Sequence, residues 1–147
     1  MFKSKVNTWV RFYRVSFQCI GLGFDSHVFR TGELLRLRLS GPNAKLAPYI
    51  HDIRGGGLFW GVEFSWETLE AGAIDLKGGS FAMLVQARTL KNGVVIMAFT
   101  GGANKEGSKG DHIILAPAYN VRGEEIEMIV DILIQSVEEI LTEAKSA

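Results

Sequence analysis

The sequence contains little cysteine and no excess of charge, and both absences exclude classes of protein. Cys19 is the one cysteine among 147 residues, so the chain cannot form an internal disulfide, and no Cys/His cluster has the spacing of a zinc site. Because 16 basic residues balance 16 acidic ones, the chain as a whole has no electrostatic attraction for nucleic acid. No apolar run reaches the roughly 18 residues that a membrane helix needs. We therefore expect a protein of a reducing compartment, the cytoplasm, that binds no metal, nucleic acid or membrane.

The composition that remains is typical of one globular domain. Hydrophobic residues make up 47% of the chain and charged residues 22%. The charges are unevenly placed, because residues 1–54 hold nine Lys/Arg against three Asp/Glu, whereas residues 55–147 hold seven against thirteen. Two explanations stay open: the two parts attract each other, or two stretches of different origin are joined. The basic residues 1–24 also resemble a weak targeting segment, although the small-residue cleavage pattern is missing.

Hydrophobic periodicity and turn residues predict six elements. In chain order they are a helix over 31–39, a strand over 57–66, a helix over 81–92, strands over 94–99 and 112–116, and an amphipathic helix over 123–145. Thr31 and Ser80 are the expected N-caps, and Asn92-Gly93 is the expected end of the middle helix. Residues 1–29 show no clear period and stay unassigned. The order of elements predicts an α+β fold in which helices cover a small sheet.

The segments between these elements are predicted to be irregular. Residues 44–57 are a connector with three glycines at its end, residues 67–79 are a polar loop, and residues 100–111 are a mobile loop. Apolar positions at helical spacing predict the buried side of the two later helices. They are Phe81, Leu84, Val85 and Leu90 in the first, and Ile126, Ile129, Val130, Leu133, Val137, Ile140 and Leu141 in the second.

The neighbours Asp111 and His112 raise the question of an acid/base pair. Adjacent residues of a strand point to opposite faces of the sheet, so the two side chains are not expected to act on one proton. Asp111 is expected to cap backbone amides at the end of the loop, and His112 is expected to lie on a sheet face. A direct active-site role stays open as the alternative.

Two further features have a structural explanation. The run Gly55-Gly56-Gly57 enters a strand instead of opening a helix, so it predicts a tight turn and not a phosphate-binding loop. Glu63 lies within a predicted strand and is expected to face outward or to be paired, since an unpaired buried acid is costly. Taken alone, the residues contain no catalytic, cofactor-binding or metal-binding set.

Two stretches of the sequence resemble one protein family when they are taken together. The stretch "DIRGGGLFWGVEF" (52–64) has an Arg-Gly-any-Gly-Leu run that enters a strand, and "GDHIILAPAYNV" (110–121) has Gly-Asp-His before an apolar strand and Ala-Pro. In this order and spacing they resemble the C-terminal small domain of class III, PLP-dependent aminotransferases, over residues 31–147. The structural positions of the two motifs are Arg54, Gly55, Gly57 and Pro117.

The resemblance implies the C-terminal domain of a fold-type I PLP enzyme, with a mainly antiparallel sheet and a long C-terminal helix. It also implies that the Schiff-base lysine and the other cofactor-binding residues belong to a large domain that is missing here. This chain alone is therefore expected to be inactive. The complete enzyme would be a homodimer that transfers an amino group from an amine or ω-amino acid to a keto acid.

The resemblance further implies a substrate-side loop and a class of donor. The loop residues that close over the substrate are Lys109, Gly110, Asp111 and His112. Ile114 stands where the members acting on ornithine carry an arginine, and an aliphatic side chain cannot bind a carboxylate with two hydrogen bonds. The chain is therefore more similar to the members acting on ω-amino acids or amines. The alternative is a non-enzymatic small-molecule-binding or interaction module that reuses the same α+β layer.

Overall fold

The computed structural model describes residues 22–72, 79–102, 105 and 109–145. The helices are α1 (Leu22–Ser40), α2 (Trp66–Ala71), α3 (Phe81–Lys91) and α4 (Gly123–Lys145), and a 3₁₀ turn spans Ala47–Tyr49. The strands are β1 (Ile50–Gly56), β2 (Phe59–Phe64), β3 (Met97–Phe99) and β4 (His112–Leu115). Neighbouring strands pair antiparallel in the order β1-β2-β4-β3. The predicted α+β fold, with an antiparallel sheet and a long C-terminal helix, is confirmed.

One face of the sheet is buried and contributes to the hydrophobic core. In β2 and β4 the buried side chains alternate along each strand and belong to Trp60, Val62, Phe64, Ile113 and Leu115. They share the core with apolar residues of α1, α3 and α4. Six residues of the stripe predicted for α4 are buried, namely Ile126, Val130, Leu133, Val137, Ile140 and Leu141, and Ile129 is partly buried. The apolar periodicity of its sequence therefore determines which side of the long helix packs against the core.

The opposite face of the sheet, called the open face, carries two rows of side chains across the four strands. Directly paired residues of antiparallel strands point to the same side, so the register defines both rows. The first row is Asp52, Glu63, His112 and Phe99, and the second is Arg54, Gly61, Ile114 and Met97. Phe59 lies on the same face at the start of β2. The residues of the open face are half-buried or exposed.

Helix α1 begins earlier than the sequence pattern predicts. Thr31, the predicted N-cap, lies inside the helix, where its Oγ1 donates a hydrogen bond to the carbonyl oxygen of His27 at 2.7 Å. The prediction is wrong because a threonine can satisfy its hydroxyl within a helix, so it does not by itself mark a helix start. The unassigned segment 1–29 thus ends in helix from Leu22 onward. Residues 1–21, and with them most of the predicted targeting segment, lie outside the described residues.

Two segments predicted to be irregular contain regular structure. The connector over 44–57 holds β1, whose glycines and charged residues give it little strand propensity of its own. Strand β1 forms because it pairs with β2 along its length. The loop over 67–79 begins with α2, whose N-cap Ser65 accepts a hydrogen bond at Oγ from the amide of Thr68 at 3.3 Å. Residues 73–78 of that loop lie outside the described residues.

Helix α3 has nearly the predicted limits but a different buried side. Ser80 is its N-cap, as predicted, and the buried residues are Phe81, Ala82, Val85 and Thr89. Leu84 and Leu90, which were expected on the buried side, are 39% and 61% exposed. Thr89 can take a core position because its Oγ1 donates a hydrogen bond to the carbonyl oxygen of Gln86 at 3.0 Å. A pattern built on large apolar residues misses such a position.

The strands are shorter than the apolar runs that contain them. The run over 94–99 yields only β3, because the amide of Val94 donates to the carbonyl oxygen of Thr89 at 2.8 Å and so belongs to the end of α3. The run over 57–66 yields β2, since Gly57-Leu58 forms the turn that precedes it. Within the described ranges, the helices lack the length and the apolar character that a membrane crossing requires.

Candidate functional site

The first motif of the sequence forms the tight turn between β1 and β2. Gly57 has a φ of 56°, which belongs to the left-handed region, and its carbonyl oxygen accepts a hydrogen bond from Nε1 of Trp60 at 2.7 Å. A Cβ at Gly32 of α1 would lie 1.6 Å from that same carbonyl oxygen. Helix α1 therefore approaches the hairpin backbone more closely than a side chain at Gly32 would permit. Glycine at position 57 is favoured separately, by its left-handed φ.

Arg54 lies on β1 just before this turn and binds two carboxylates of the open face. Its Nε is 3.1 Å from Oδ2 of Asp52, and its Nη2 donates a hydrogen bond to Oε2 of Glu63. The side chain of Glu63 is only 13% exposed, whereas that of Arg54 is 69% exposed. Glu63 is thus both on the outward face and paired, the two arrangements that its position in a strand predicted.

The second motif begins with a residue that joins the loop to helix α3. Oδ2 of Asp111 accepts hydrogen bonds from Oγ of Ser80 at 2.6 Å and from the amide of Ala82 at 3.3 Å. Oγ of Ser80 in turn accepts from the amide of Met83 at 3.4 Å. A carboxylate at this place satisfies one free amide of the first helical turn, that of Ala82, and interacts favourably with the helix dipole. Asp111 was expected to cap amides at the end of its own loop, but it accepts a hydrogen bond from an amide of α3, which the fold brings next to it.

The other residues of this motif point away from Asp111. Gly110 has a φ of 100°, a value that disfavours residues with a side chain, and it turns the chain into β4. His112 lies on the open face, where its ring stacks on Phe99 with centroids 5.3 Å apart, and its Nδ1 is 2.8 Å from the carbonyl oxygen of Gly110. Asp111 and His112 thus lie on opposite sides of the sheet and do not form an acid/base pair. Pro117 follows the end of β4.

Lys109 is exposed, and its charge acts on Glu67 of helix α2. The pKa of Glu67 is lowered, chiefly by a hydrogen bond from its own backbone amide and in smaller part by the charges of His51 and Lys109. The residues that the resemblance assigns to the substrate side therefore contact different elements of the structure. Lys109 is near α2, Asp111 is bound to α3, and His112 is on the open face.

Within the described ranges, the lysines are not enclosed as a PLP-binding lysine would be. The cofactor needs a lysine amine in an enclosed position to form a Schiff base. The five lysines in the described ranges are all exposed: Lys45, Lys91, Lys105, Lys109 and Lys145. A cavity of about 340 Å³ elsewhere in the described part of the chain is lined by residues that include the polar His51 and Asp52, and no lysine lines it.

Sequence reasoning missed how these residues are connected. Ser80 was expected to cap α3 and Asp111 to cap amides, but the two residues are 31 positions apart, and no local signal shows that they serve the same helix. The stack of Phe99 on His112 and the contact of Arg54 with Glu63 depend on strand register, which the alternation of apolar residues indicates only in part.

Comparison with known proteins identifies relatives that are much longer than this chain. No protein-family model matches it. An uncharacterized aminotransferase of Schizosaccharomyces pombe is 34% identical over 92 residues, which are 61% of this chain and 19% of the relative. An aminotransferase of Gibberella zeae is 39% identical over 85 residues, which are 56% of this chain and 16% of the relative. The chain thus spans about a fifth or less of the length of these curated relatives.

Solved structures of transaminases contain the same fold. An aminotransferase of Bacillus anthracis superposes with a TM-score of 0.59 at 23% identity, over 80% of this chain and 24% of that structure. The ornithine aminotransferase of Toxoplasma gondii superposes with a TM-score of 0.58 at 22% identity, over 84% of this chain and 24% of that structure. The chain is therefore similar in sequence to aminotransferases and has the fold of a segment of transaminases.

Proposed function

We propose that this chain is the C-terminal small domain of a class III, PLP-dependent aminotransferase and that residues 31–147 form this domain. The observation that carries the proposal is that a chain similar in sequence to aminotransferases brings its two motifs, 52–64 and 110–121, together in the neighbouring strands β2 and β4. The same observation supports amino-group transfer as the reaction of the complete enzyme.

In the proposed enzyme, binding of the cofactor and closure of the site belong to two different parts of the polypeptide. PLP would be held by the part that has no counterpart among the described residues, since the lysines described above are exposed. This chain would close the substrate side of the site and exclude water from it. The complete enzyme would act as a homodimer, and its substrates would be an amine or ω-amino acid and a keto acid.

The arrangement around Gly110 supports a role for Lys109 in that closure. The hydrogen bonds from Ser80 and Ala82 fix the carboxylate of Asp111. The residues just before Asp111 are therefore attached to a rigid part of the structure. Lys109 is two positions before Asp111 and is exposed. We propose that its ammonium group binds the carboxylate of the donor when the substrate side of the site closes. Such a contact is stronger when closure excludes water from it.

The donor class follows from the position of Ile114. This residue lies in the second row of the open face, between Gly61 and Met97. An aliphatic side chain there offers apolar contact and no second carboxylate-binding group. We therefore propose an ω-amino acid or an amine as the donor.

The role of Lys109 is tested in an assembled enzyme. The full 147-residue chain is joined to the part of the S. pombe aminotransferase that it does not match, and amino-group transfer to a keto acid is measured. We expect Lys109→Ala to lower kcat/KM for an ω-amino acid donor by about tenfold, the effect of one charged hydrogen bond, and to leave an amine without a carboxylate nearly unaffected.

Lys105 provides the matched control, because it is an exposed lysine of the same loop. We expect Lys105→Ala to leave both donors unaffected. Equal losses with both donors would contradict the proposed contact of Lys109 with the carboxylate. An assembled enzyme that binds PLP but transfers no amino group from any donor would contradict the proposed function itself.

A further inference from the structure

Helix α3 is followed by Asn92-Gly93, a pair of residues that is chemically reactive. The backbone nitrogen of the second residue can attack the side-chain amide carbon of the asparagine, and glycine hinders this attack least because it has no side chain. Asparagine belongs to the thermolabile residue types. The pair is therefore suited to deamidation, the hydrolytic loss of the side-chain amide.

The side chain of Asn92 is half-buried and bridges α3 to α4. Its Nδ2 donates hydrogen bonds to Oγ of Ser136 at 3.0 Å and to Oε2 of Glu139 at 3.4 Å. Ser136 is fully buried, and its Oγ donates to the carbonyl oxygen of Ile132 at 2.7 Å. The hydroxyl hydrogen of Ser136 is thus already used, and the carboxylate of Glu139 is an acceptor. Both contacts therefore need a hydrogen-bond donor at position 92.

The folded arrangement holds this pair away from reaction. The backbone amide of Gly93 donates to the carbonyl oxygen of Leu90 at 3.2 Å, and it has to leave that bond and lose its proton before its nitrogen can attack. The side chain of Asn92 has to leave Ser136 and Glu139 as well. Reaction thus requires local opening at the end of α3, and the frequency of this opening depends on the contacts that break.

We propose that Asn92 is a deamidation site, that its hydrogen bonds to α4 protect it, and that its modification weakens the contact between α3 and α4. The nitrogen of Gly93 forms a bond to Cγ of Asn92, the bond from Cγ to Nδ2 breaks, and ammonia leaves. Water then opens the resulting cyclic imide. The product is aspartate, or its isomer in which the main chain runs through Cγ. Water is the only other reactant.

The product cannot make the contacts of the asparagine. An ionised carboxylate at position 92 has no hydrogen to donate, so it would face the lone pairs of Ser136 and the like charge of Glu139. The effect also reaches the second motif, because the amide of Ala82 in the first turn of α3 and the hydroxyl of its N-cap Ser80 bind Asp111. A helix α3 that is loosened from α4 would hold Asp111 less firmly.

Mass spectrometry of peptides from the full 147-residue chain, incubated at mildly alkaline pH, measures the reaction at each asparagine. We expect Asn92 to react at least about tenfold more slowly in the native chain than in the chain unfolded by urea. Ser136→Ala should raise the native rate by about fivefold, the effect of one hydrogen bond. Glu139→Ala, which removes the other acceptor, repeats the comparison at a position that is not fully buried. Thermal melting shows whether each variant is folded.

Asn120-Val121 is the internal control, because its second residue has a branched side chain that hinders the attack. In the unfolded chain, where both asparagines are accessible, we expect Asn92 to react faster than Asn120. Equal rates at Asn92 and Asn120 in the unfolded chain would overturn the assignment of the site. Equal rates at Asn92 in the native and unfolded chains, or a native rate that neither Ser136→Ala nor Glu139→Ala raises, would overturn the protection by α4.

The consequence of the modification is tested with Asn92→Asp, which reproduces one product, and with Asn92→Ala as its neutral control. We expect urea denaturation at neutral pH to give a lower unfolding midpoint for Asn92→Asp than for Asn92→Ala, because only the first adds a negative charge beside Glu139. Adding Glu139→Gln to both should narrow the difference. A midpoint of Asn92→Asp at or above that of Asn92→Ala would show that the modification leaves the contact between α3 and α4 intact, and it would overturn this part of the proposal.

Discussion

Gly55 and Gly56 are adjacent glycines, but a side chain fits without a steric clash only at Gly56. A Cβ at Gly55 would lie 2.1 Å from the carbonyl oxygen of Phe59, whereas a Cβ at Gly56 would have no atom within 4 Å. We expect Gly55→Ala to lower the free energy of unfolding by more than about 2 kcal/mol, because the hairpin backbone must move, and Gly56→Ala to lower it by less than about 1 kcal/mol. Urea denaturation of the two variants measures the difference.

Equal unfolding midpoints for Gly55→Ala and Gly56→Ala would show that the turn relaxes around either side chain. In that case the first glycine of the Arg-Gly-any-Gly-Leu run would have no steric explanation. The expected difference instead explains the motif physically. Its first glycine gives room to the facing strand, and its last, Gly57, takes a left-handed φ and receives the close approach of Gly32.

The candidate site was predicted from sequence only where a residue's role is local. The separation of Asp111 from His112 follows from the alternation of a strand, whereas the amide that Asp111 caps belongs to α3 and not to its own loop end. The connection of Asp111 to Ser80, and of Arg54 to Glu63, could not be predicted, because each depends on which segments pack or pair in three dimensions. The role of Lys109 stays a prediction.

Helices α3 and α4 are joined by a polar cluster centred on Arg88. Its Nη1 is 2.9 Å from Oε2 of Glu139, and its Nη2 is 2.6 Å from Oε2 of Glu143. Nδ2 of Asn92 donates to Oγ of Ser136 at 3.0 Å in the same region. The side chain of Arg88 is 20% exposed, so these bonds are less screened by water than those of a fully exposed pair.

This cluster predicts a dependence of stability on pH. The hydrogen bonds from Arg88 hold the pKa of Glu139 and that of Glu143 below the ordinary value. A lowered pKa in the folded state contributes stability above the ordinary glutamate pKa of about 4.3, and this stability is lost as the pH falls through the lowered value. We therefore expect Arg88→Met to destabilise the protein more at about pH 7 than at about pH 3. Urea denaturation at both values tests this, and an equal loss at both would contradict the ionic contribution.

At the level of elements, the helices and strands that could be predicted are those whose own sequence contains a cap or an apolar pattern. Helix α4 has an uninterrupted apolar stripe, α3 has a capping serine, and β2 and β4 have alternating or continuous apolar runs. Strand β1 could not be predicted, because its glycines and charges are stabilised by pairing with β2 and not by local preference. The exposed positions of Leu84 and Leu90 show that apolar spacing alone does not fix which side of a helix is buried.

Across the whole molecule, basic residues of the first part of the chain form ion pairs with acidic residues of α4. Nε of Arg38 is 2.7 Å from Oε2 of Glu127, and its Nη2 is 2.5 Å from Oδ1 of Asp131. Nζ of Lys45 is 3.6 Å from Oε1 of Glu138. Of the two explanations that the sequence left open, attraction between the basic and acidic parts is therefore present in the fold.

These ion pairs are near the surface, so they predict sensitivity to salt. Raising the ionic strength from about 0.05 M to about 0.5 M screens exposed charges, and we expect the Tm to fall by about 1–3 °C. Arg38→Gln removes two of the pairs and should make the Tm less dependent on salt. Differential scanning calorimetry at both ionic strengths measures this. A Tm with the same salt dependence in both proteins would show that the pairs contribute nothing measurable.

The position of β4 in the sheet has a consequence for synthesis and folding. Strand β4 lies between β2 and β3 but follows both in the chain, and its partner Gly61 precedes Ile114 by 53 positions. The hairpin of β1 and β2 can form early from local contacts, whereas the sheet closes only after β4 has left the ribosome. Until then, one edge of β2 and the edge of β3 that receives β4 are unpaired, and such edges promote aggregation. A chain that ends before residue 112 would keep both edges exposed, so we expect it to aggregate more readily than a chain that contains β4.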